Sequence, residues 1–403
     1  MLSNEQKFLM QCLACFLDDR PNEMADPATD WMSVMELAAS HSVDAIVYHQ
    51  CLNDLPVEVR KAYLKPYLGH AALSARREGL VTELAGELEA HWLTVMFLKG
   101  AILREYYPLP PLRSMGDLDI LIRPEDRQSI DHVLKEHMGL RCYPESDAVW
   151  TYWRDNLYLE VHTHIFYEDL ANRVDYRTFF DRIWEHCHAA PVFGISSENF
   201  LVPEENYHFL YLMAHTAKHV VNRGSGFRAY LDMVLMTKHC DLDWAWLEDE
   251  LRKLELLEFT RTCFALCENW FGVRMPLGGK QLSEAFLEEV TEKTFRDGAF
   301  GKENGQNAGS LSAKEIRRRN CPYVVSAAVL TVRKIFPPYR NMRQTPWYSW
   351  VDGKPWLMPV AWIYRWWYSM KYLRVAGVDQ VTEPFTGRKM VEKREALLRE
   401  WGL

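Results

Sequence analysis

Seven residues constrain this chain more than any others. Gly116-Asp117-Leu118-Asp119-Ile120-Leu121-Ile122 alternates with period two, putting Leu118, Ile120 and Ile122 on one face and Asp117, Asp119 and Leu121 on the other. Such a strand needs a sheet with an apolar side to bury and carries two acids that point the same way. Two like charges about 4 Å apart repel by roughly 4 kcal/mol at an effective dielectric near 20. One acid is therefore protonated, or both face water, or a cation sits between them. Hard divalent cations prefer carboxylate oxygens, and magnesium commonly takes one or two of these plus substrate phosphates.

A third acid lies on a second alternating run. Leu157-Tyr158-Leu159-Glu160-Val161-His162-Thr163-His164 sets Leu157, Leu159 and Val161 against Tyr158, Glu160, His162 and His164. If this strand neighbours the first, Glu160 faces the same site as the aspartates. Three acids so placed can hold two metals about 3.5–4 Å apart, clamping both the attacking and leaving oxygens of a phosphoryl displacement. The bland reading of each acid alone is the solvated face of an edge strand.

The surrounding pattern predicts an α+β fold, with a small mixed sheet wrapped by helices from both ends of the chain. Residues 1–92 read as helical, with helices over Trp31–His41, Val57–Tyr67 and Ala71–Trp92. Residues 93–200 form the α/β core. It opens on the apolar run Thr94–Leu98 before Lys99-Gly100 and continues through the acidic strand and a helix begun by Pro124 and ended by Gly139. Strands follow near Ala148–Trp153 and Leu157–Phe166. Helices return over 201–297, the Gly-, Asn- and Ser-rich run Gly298–Ser312 reads as a loop or linker, and 313–403 is an aromatic and basic region expected to pack on the core.

Composition narrows the function classes. A chain of 403 residues, 48% hydrophobic and 25% charged, is globular and long enough for two or three domains. Its net charge of −8 gives no strong nucleic-acid footprint. The longest run without charge, Asn320–Val332, is too short to span a membrane. Met1-Leu2-Ser3-Asn4-Glu5 lacks a signal peptide's basic region, and nine cysteines without a paired framework suit a reducing compartment, so a cytoplasmic location is expected. Cys12-x-x-Cys15 sits among Phe8, Leu9, Leu13 and Phe16, which reads as buried thiols.

Several stretches together resemble the nucleotidyltransferase superfamily with a DNA polymerase β-like core, most of all its uncharacterised bacterial NTP_transf_5-type branch. They are Phe97-Leu98-Lys99-Gly100, Arg113-x-x-Gly116-Asp117-Leu118-Asp119, Glu160-Val161-His162, Leu201-x-Pro203, Ala214-His215-x-x-x-His219 and Arg228-x-x-x-Asp232. In the tail, Ile335-Phe336-Pro337-Pro338 and Leu357-x-Pro359-x-x-Trp362 match as well. The resemblance implies transfer of a nucleoside monophosphate from an NTP to an acceptor, with Mg2+ or Mn2+ as cofactor. Asp117, Asp119 and Glu160 would be the catalytic and metal-binding residues, Glu160 also activating the acceptor. Lys99, Gly100, Arg113, Gly116, His162, His215 and His219 would lie on the nucleotide- and phosphate-binding side. Where the superfamily has a Gly-Ser turn this chain has Gly100-Ala101, so the hydroxyl contact is absent and Lys99 is the compensating phosphate-binding charge.

The residues leave alternatives open. Arg113 reads equally as a bidentate phosphate ligand or a surface arginine. His164 reads as a structural histidine. His215 and His219 share a helix face with His208 and Asn222, and Arg228 and Asp232 have ion-pair spacing on the next helix. Two rival functions remain: a non-catalytic nucleotide- or partner-binding module on the same fold, favoured by the Gly-Ala turn, and a zinc metallohydrolase using Glu160, His162, His215 and His219. The acceptor, the preferred base and the oligomeric state are not encoded in any motif.

Overall fold

The computed structural model describes residues 2–22, 26, 28–144, 149–166, 170, 172, 174–222, 224–299, 323–339, 342, 346–351, 353–372 and 388–403. Most of the Gly298–Ser312 run and all of Arg317-Arg318-Arg319 lie outside them. The described residues fall into two compact units, one within 1–168 and 174–302 and the other mainly within 303–401.

The first unit begins with α1 (Asn4–Leu17), α2 (Trp31–Ser40), α3 (Asp44–Gln50) and α4 (Val57–His91). A capping box starts α1: Ser3 Oγ accepts from the Gln6 amide while Gln6 Oε1 accepts from the Ser3 amide. Cys12 and Cys15 are buried on its inner face, as their neighbours imply. The two helices expected over 57–92 are one, running through Pro66. The chain around Pro66 is exposed, so water can replace the hydrogen bond that a proline cannot donate.

A seven-stranded mixed sheet follows, in the order β3-β4-β5-β2-β1-β7-β6. Its strands are β1 (Val95–Leu98), β2 (Leu118–Leu121), β3 (Arg141–Pro144), β4 (Val149–Arg154), β5 (Leu157–His162), β6 (Cys187–Ala189) and β7 (Phe200–Pro203). Between them lie α5 (Gly100–Leu103), α6 (Arg127–His132) with a π-turn over Val133–His137, and α7 (Tyr176–Asp181). The apolar face predicted for the acidic strand is the core. Leu118, Ile120 and Ile122 pack with Leu159 and Val161, with Leu80, Leu84 and Leu88 of α4, and with Ile130 and Leu134 behind them.

On the other face a cavity is shared with α8 (Glu205–Asn222) and α9 (Phe227–His239), against which α10 (Trp244–Lys253), α11 (Leu257–Phe271) and α12 (Glu284–Asp297) pack. The second unit contains α13 (Tyr323–Ile335), α14 (Met358–Tyr372) and α15 (Arg388–Trp401). There the two tail motifs meet. Trp362 Nε1 donates to the Pro337 carbonyl and Trp366 Nε1 to the Ile335 carbonyl, each at 2.9 Å, and Phe336 stands edge-on to both indoles. No described helix is long and apolar enough to cross a membrane.

Candidate active site

The placement of Glu160 begins in a two-residue turn. Asp155 and Asn156 both have positive φ, 48° and 64°, as a hairpin turn matching strand twist requires. The turn fixes β4 against β5 in antiparallel register, with Thr151 opposite Glu160. On its other edge β5 pairs in parallel with β2, and the registered partners are Asp119 and Glu160. Partners in register point to the same side. The two acids therefore stand side by side on the face away from the core.

His162, two residues beyond Glu160, joins them. Its Nε2 is 3.1 Å from Asp119 Oδ1 and 3.5 Å from Glu160 Oε2. One potential ligand atom from each of the three residues lies within 4.8 Å of the others. Lys99 closes the cluster from the end of β1, its Nζ donating to Asp119 Oδ1 at 2.6 Å. Lys99 holds φ +48°, a left-handed conformation that costs a side chain of order 1–3 kcal/mol, in the link between β1 and α5. The next residue cannot carry a side chain in this arrangement. A Cβ on Gly100 would sit 2.6 Å from Arg113 Nη1 and 3.0 Å from Met115 Cε.

The charges are unequally compensated. Burial alone would raise the Asp119 carboxyl, but Lys99 and His162 reverse this and hold it well below the usual range. Burial likewise opposes the charged forms of Lys99 and His162. Asp119 raises both, and the Glu160 hydrogen bond adds to the effect on His162. Asp117, just before β2, is less well compensated: burial, then the Asp119 charge, outweighs the attraction of Lys99 and pushes its carboxyl up to about 6. The cluster thus sets Lys99 and His162 against Asp119 and still leaves Asp117 electrostatically strained.

All ten site residues expected from the sequence line one cavity of about 460 Å3: Lys99, Gly100, Arg113, Gly116, Asp117, Asp119, Glu160, His162, His215 and His219. Within it they play different parts. Arg113 is buried, and its Nε and Nη2 each donate to Asp232 at 2.8 Å, while Tyr107 donates to the same carboxylate at 2.9 Å. Arg228, four residues before Asp232 on α9, donates from Nη1 to the Ser114 carbonyl at 3.0 Å and lies in the field of the same carboxylate. Arg77 reaches the Met115 carbonyl at 2.7 Å. Three arginines thus hold the segment entering β2. His164 points to Asp181 and Arg177, in keeping with a structural histidine.

On the opposite wall, His215 and His219 of α8 meet each other, Nε2 to Nε2, at 2.8 Å. Burial and then Lys99 push the His215 imidazole well below its ordinary value, so it is neutral. Among the described residues the metal-capable group joins Glu160 and His162 to Asp119, without His215 or His219. Tyr211, Lys218 and Ser225 also line the cavity and were not singled out from the sequence. The helical spacing of Tyr211, His215 and Lys218 on α8 is the one signal that could have found them.

A divalent cation suits this cluster on its donor chemistry. Two carboxylates and an imidazole converge in a partly buried site, and a third carboxylate beside them is only partly compensated by Lys99. The sequence profile of a family described as uncharacterised nucleotidyltransferases matches residues 27–272. No curated protein and no solved structure matches the chain.

Proposed function

The chain belongs to the family of uncharacterised nucleotidyltransferases, and on that premise we propose that it moves an NMP group from an NTP to an acceptor hydroxyl in the cavity above β2 and β5. The observation that carries this reading is the register of Asp119 with Glu160, which gathers acids from two strands beside Lys99.

Asp117, Asp119 and Glu160 would hold Mg2+ or Mn2+, with His162 beside them. When bound, the metal lowers the charge barrier to attack on the α-phosphate and to loss of pyrophosphate. The chain's own groups do the rest. Glu160 takes the proton of the acceptor hydroxyl at a carboxylate oxygen. Lys99, paired with Asp119 in this structure, would offer its ammonium to the departing phosphates. Gly100 and Gly116 leave room for the phosphates at the backbone. Arg113 positions rather than clamps, because two of its donors are committed to Asp232. Neutral His215, with His219, offers hydrogen bonds to the nucleotide from α8. A cavity of about 460 Å3 lies within the usual range for small-ligand sites.

Each NTP, labelled at the α- or the γ-phosphate, incubated with the protein, Mg2+ and a cell extract, tests the reaction type. The proposal expects the α-label on the acceptor and the γ-label in pyrophosphate. Transfer of the γ-label would make the protein a kinase-like phosphotransferase and overturn it.

A further inference from the structure

A second cluster lies on the α4 side of the sheet. Leu80, Leu84 and Leu88 of α4 face the core, while Glu83, Glu87 and His91 follow one another at intervals of four along a second stripe. Against the end of that stripe stands the π-turn after α6. Glu87 Oε2 is 3.0 Å from His137 Nδ1. His91 Nδ1 donates to the Glu87 carbonyl at 2.8 Å and so leaves Nε2 as the nitrogen of His91 open to a metal. The two imidazoles lie 4.6 Å apart, nearly perpendicular. One ligand atom from each of Glu87, His91 and His137 falls within 4.8 Å of the others.

The backbone is shaped to make this meeting. In a regular α-helix residues five apart point to different sides. The wider π-turn over Val133–His137 instead brings His132 and His137 together, with ring centroids 5.5 Å apart. Single π-turns are uncommon and are frequently retained at functional sites. The junction is braced next door by Arg154, which pairs with Glu83 on α4 and donates to the Met138 carbonyl. Glu87, His91 and His137 are between about a quarter and a third exposed, so an ion can enter from solvent.

We infer that Glu87, His91 and His137 form a binding site for a transition-metal ion of the zinc class, with His132 beside it as a third imidazole. Two imidazoles and a carboxylate are a zinc donor set, whereas the oxygen-rich cluster in the cavity is a magnesium or manganese one. Bound zinc ties the end of α4 to the turn following α6, the helix that comes after the strand bearing Asp119.

The test uses the full chain stripped with chelator and titrated by calorimetry with Zn2+ alone. Co2+ then replaces it, as a spectroscopic report of coordination by nitrogen. The expected result is one zinc per chain, still bound by Glu160→Gln. Binding should weaken in His91→Ala and in the milder His137→Gln by at least the roughly 10–100-fold that loss of an outer-shell partner costs. Circular dichroism of both variants checks that they fold. Absence of a tight zinc site, zinc affinity unchanged in both histidine variants, or zinc binding that follows Glu160 instead would each overturn the assignment.

Discussion

On the proposed function, Asp119→Asn and Asp117→Asn are each expected to abolish NTP turnover, by about a thousandfold or more, yet to shift stability in opposite directions. The expected loss follows from removing a carboxylate proposed to hold the cation, whose stabilisation of transition-state charge would be worth several kcal/mol. The stabilities part because the two acids sit in different fields. Asp119 is the counter-charge of half-buried Lys99 and of buried His162. Neutralising it removes the main partner of that ammonium, a class of change that costs up to about 3–5 kcal/mol when the charge is fully buried. Asp117 has its carboxyl raised to about 6 from the ordinary 3.8, first by burial and then by Asp119. A raised carboxyl contributes its stability while protonated, below the unfolded value, and loses it as pH rises through the folded value. Near neutral pH the ionised Asp117 therefore costs the metal-free fold about 1–3 kcal/mol. Asparagine keeps the shape without the charge, so Asp117→Asn gains stability above about pH 6 and converges on the wild type in acid. Denaturant midpoints in chelator across that range, beside pyrophosphate release with Mg2+, measure both effects. Turnover surviving in either variant, or a less stable Asp117→Asn at neutral pH, would contradict the account.

The second large effect lies at the cavity wall. Asp232→Asn is expected to destabilise the protein by about 3–5 kcal/mol, because Arg113 loses the charge that both of its bonded nitrogens address, in a site where neither residue is more than 8% exposed. Replacing the pair together, Arg113→Met with Asp232→Leu, removes both buried charges and recovers most of that stability. Turnover should not recover with it, since Arg113 Nη1 lies against Gly100 and shapes the approach to Lys99. Unfolding midpoints and initial rates on the same three proteins separate the roles. A double variant as active as the wild type would make Arg113 a structural residue alone.

How far the sequence could be read follows from which forces are local. The alternation of residues 116–122 and 157–164 reports burial on one face, so β2, β5 and the side carrying Asp119 and Glu160 were legible. The strands β3, β6 and β7 were not, because three or four residues offer too few alternations, and β3 and β6 sit at the sheet edges. Val57–Tyr67 and Ala71–Trp92 read as two helices where there is one, running through Pro66, because an exposed helix tolerates a missing hydrogen bond. The Arg113–Asp232 fork joins residues 119 apart in the chain, and no local pattern announces it. The same holds for the meeting of His91 and His137, which depends on a π-turn that composition does not reveal.

The claim beneath the enzymatic reading is that the acids of β2 and β5 trap a divalent cation. Titration of the protein with Mn2+ in the presence of a non-hydrolysable NTP analogue, followed by electron paramagnetic resonance, measures this directly. The account predicts bound Mn2+ in the wild type, retained in His91→Ala and lost in both Asp119→Asn and Glu160→Gln. Equal Mn2+ binding by the wild type and those two carboxylate variants would contradict it.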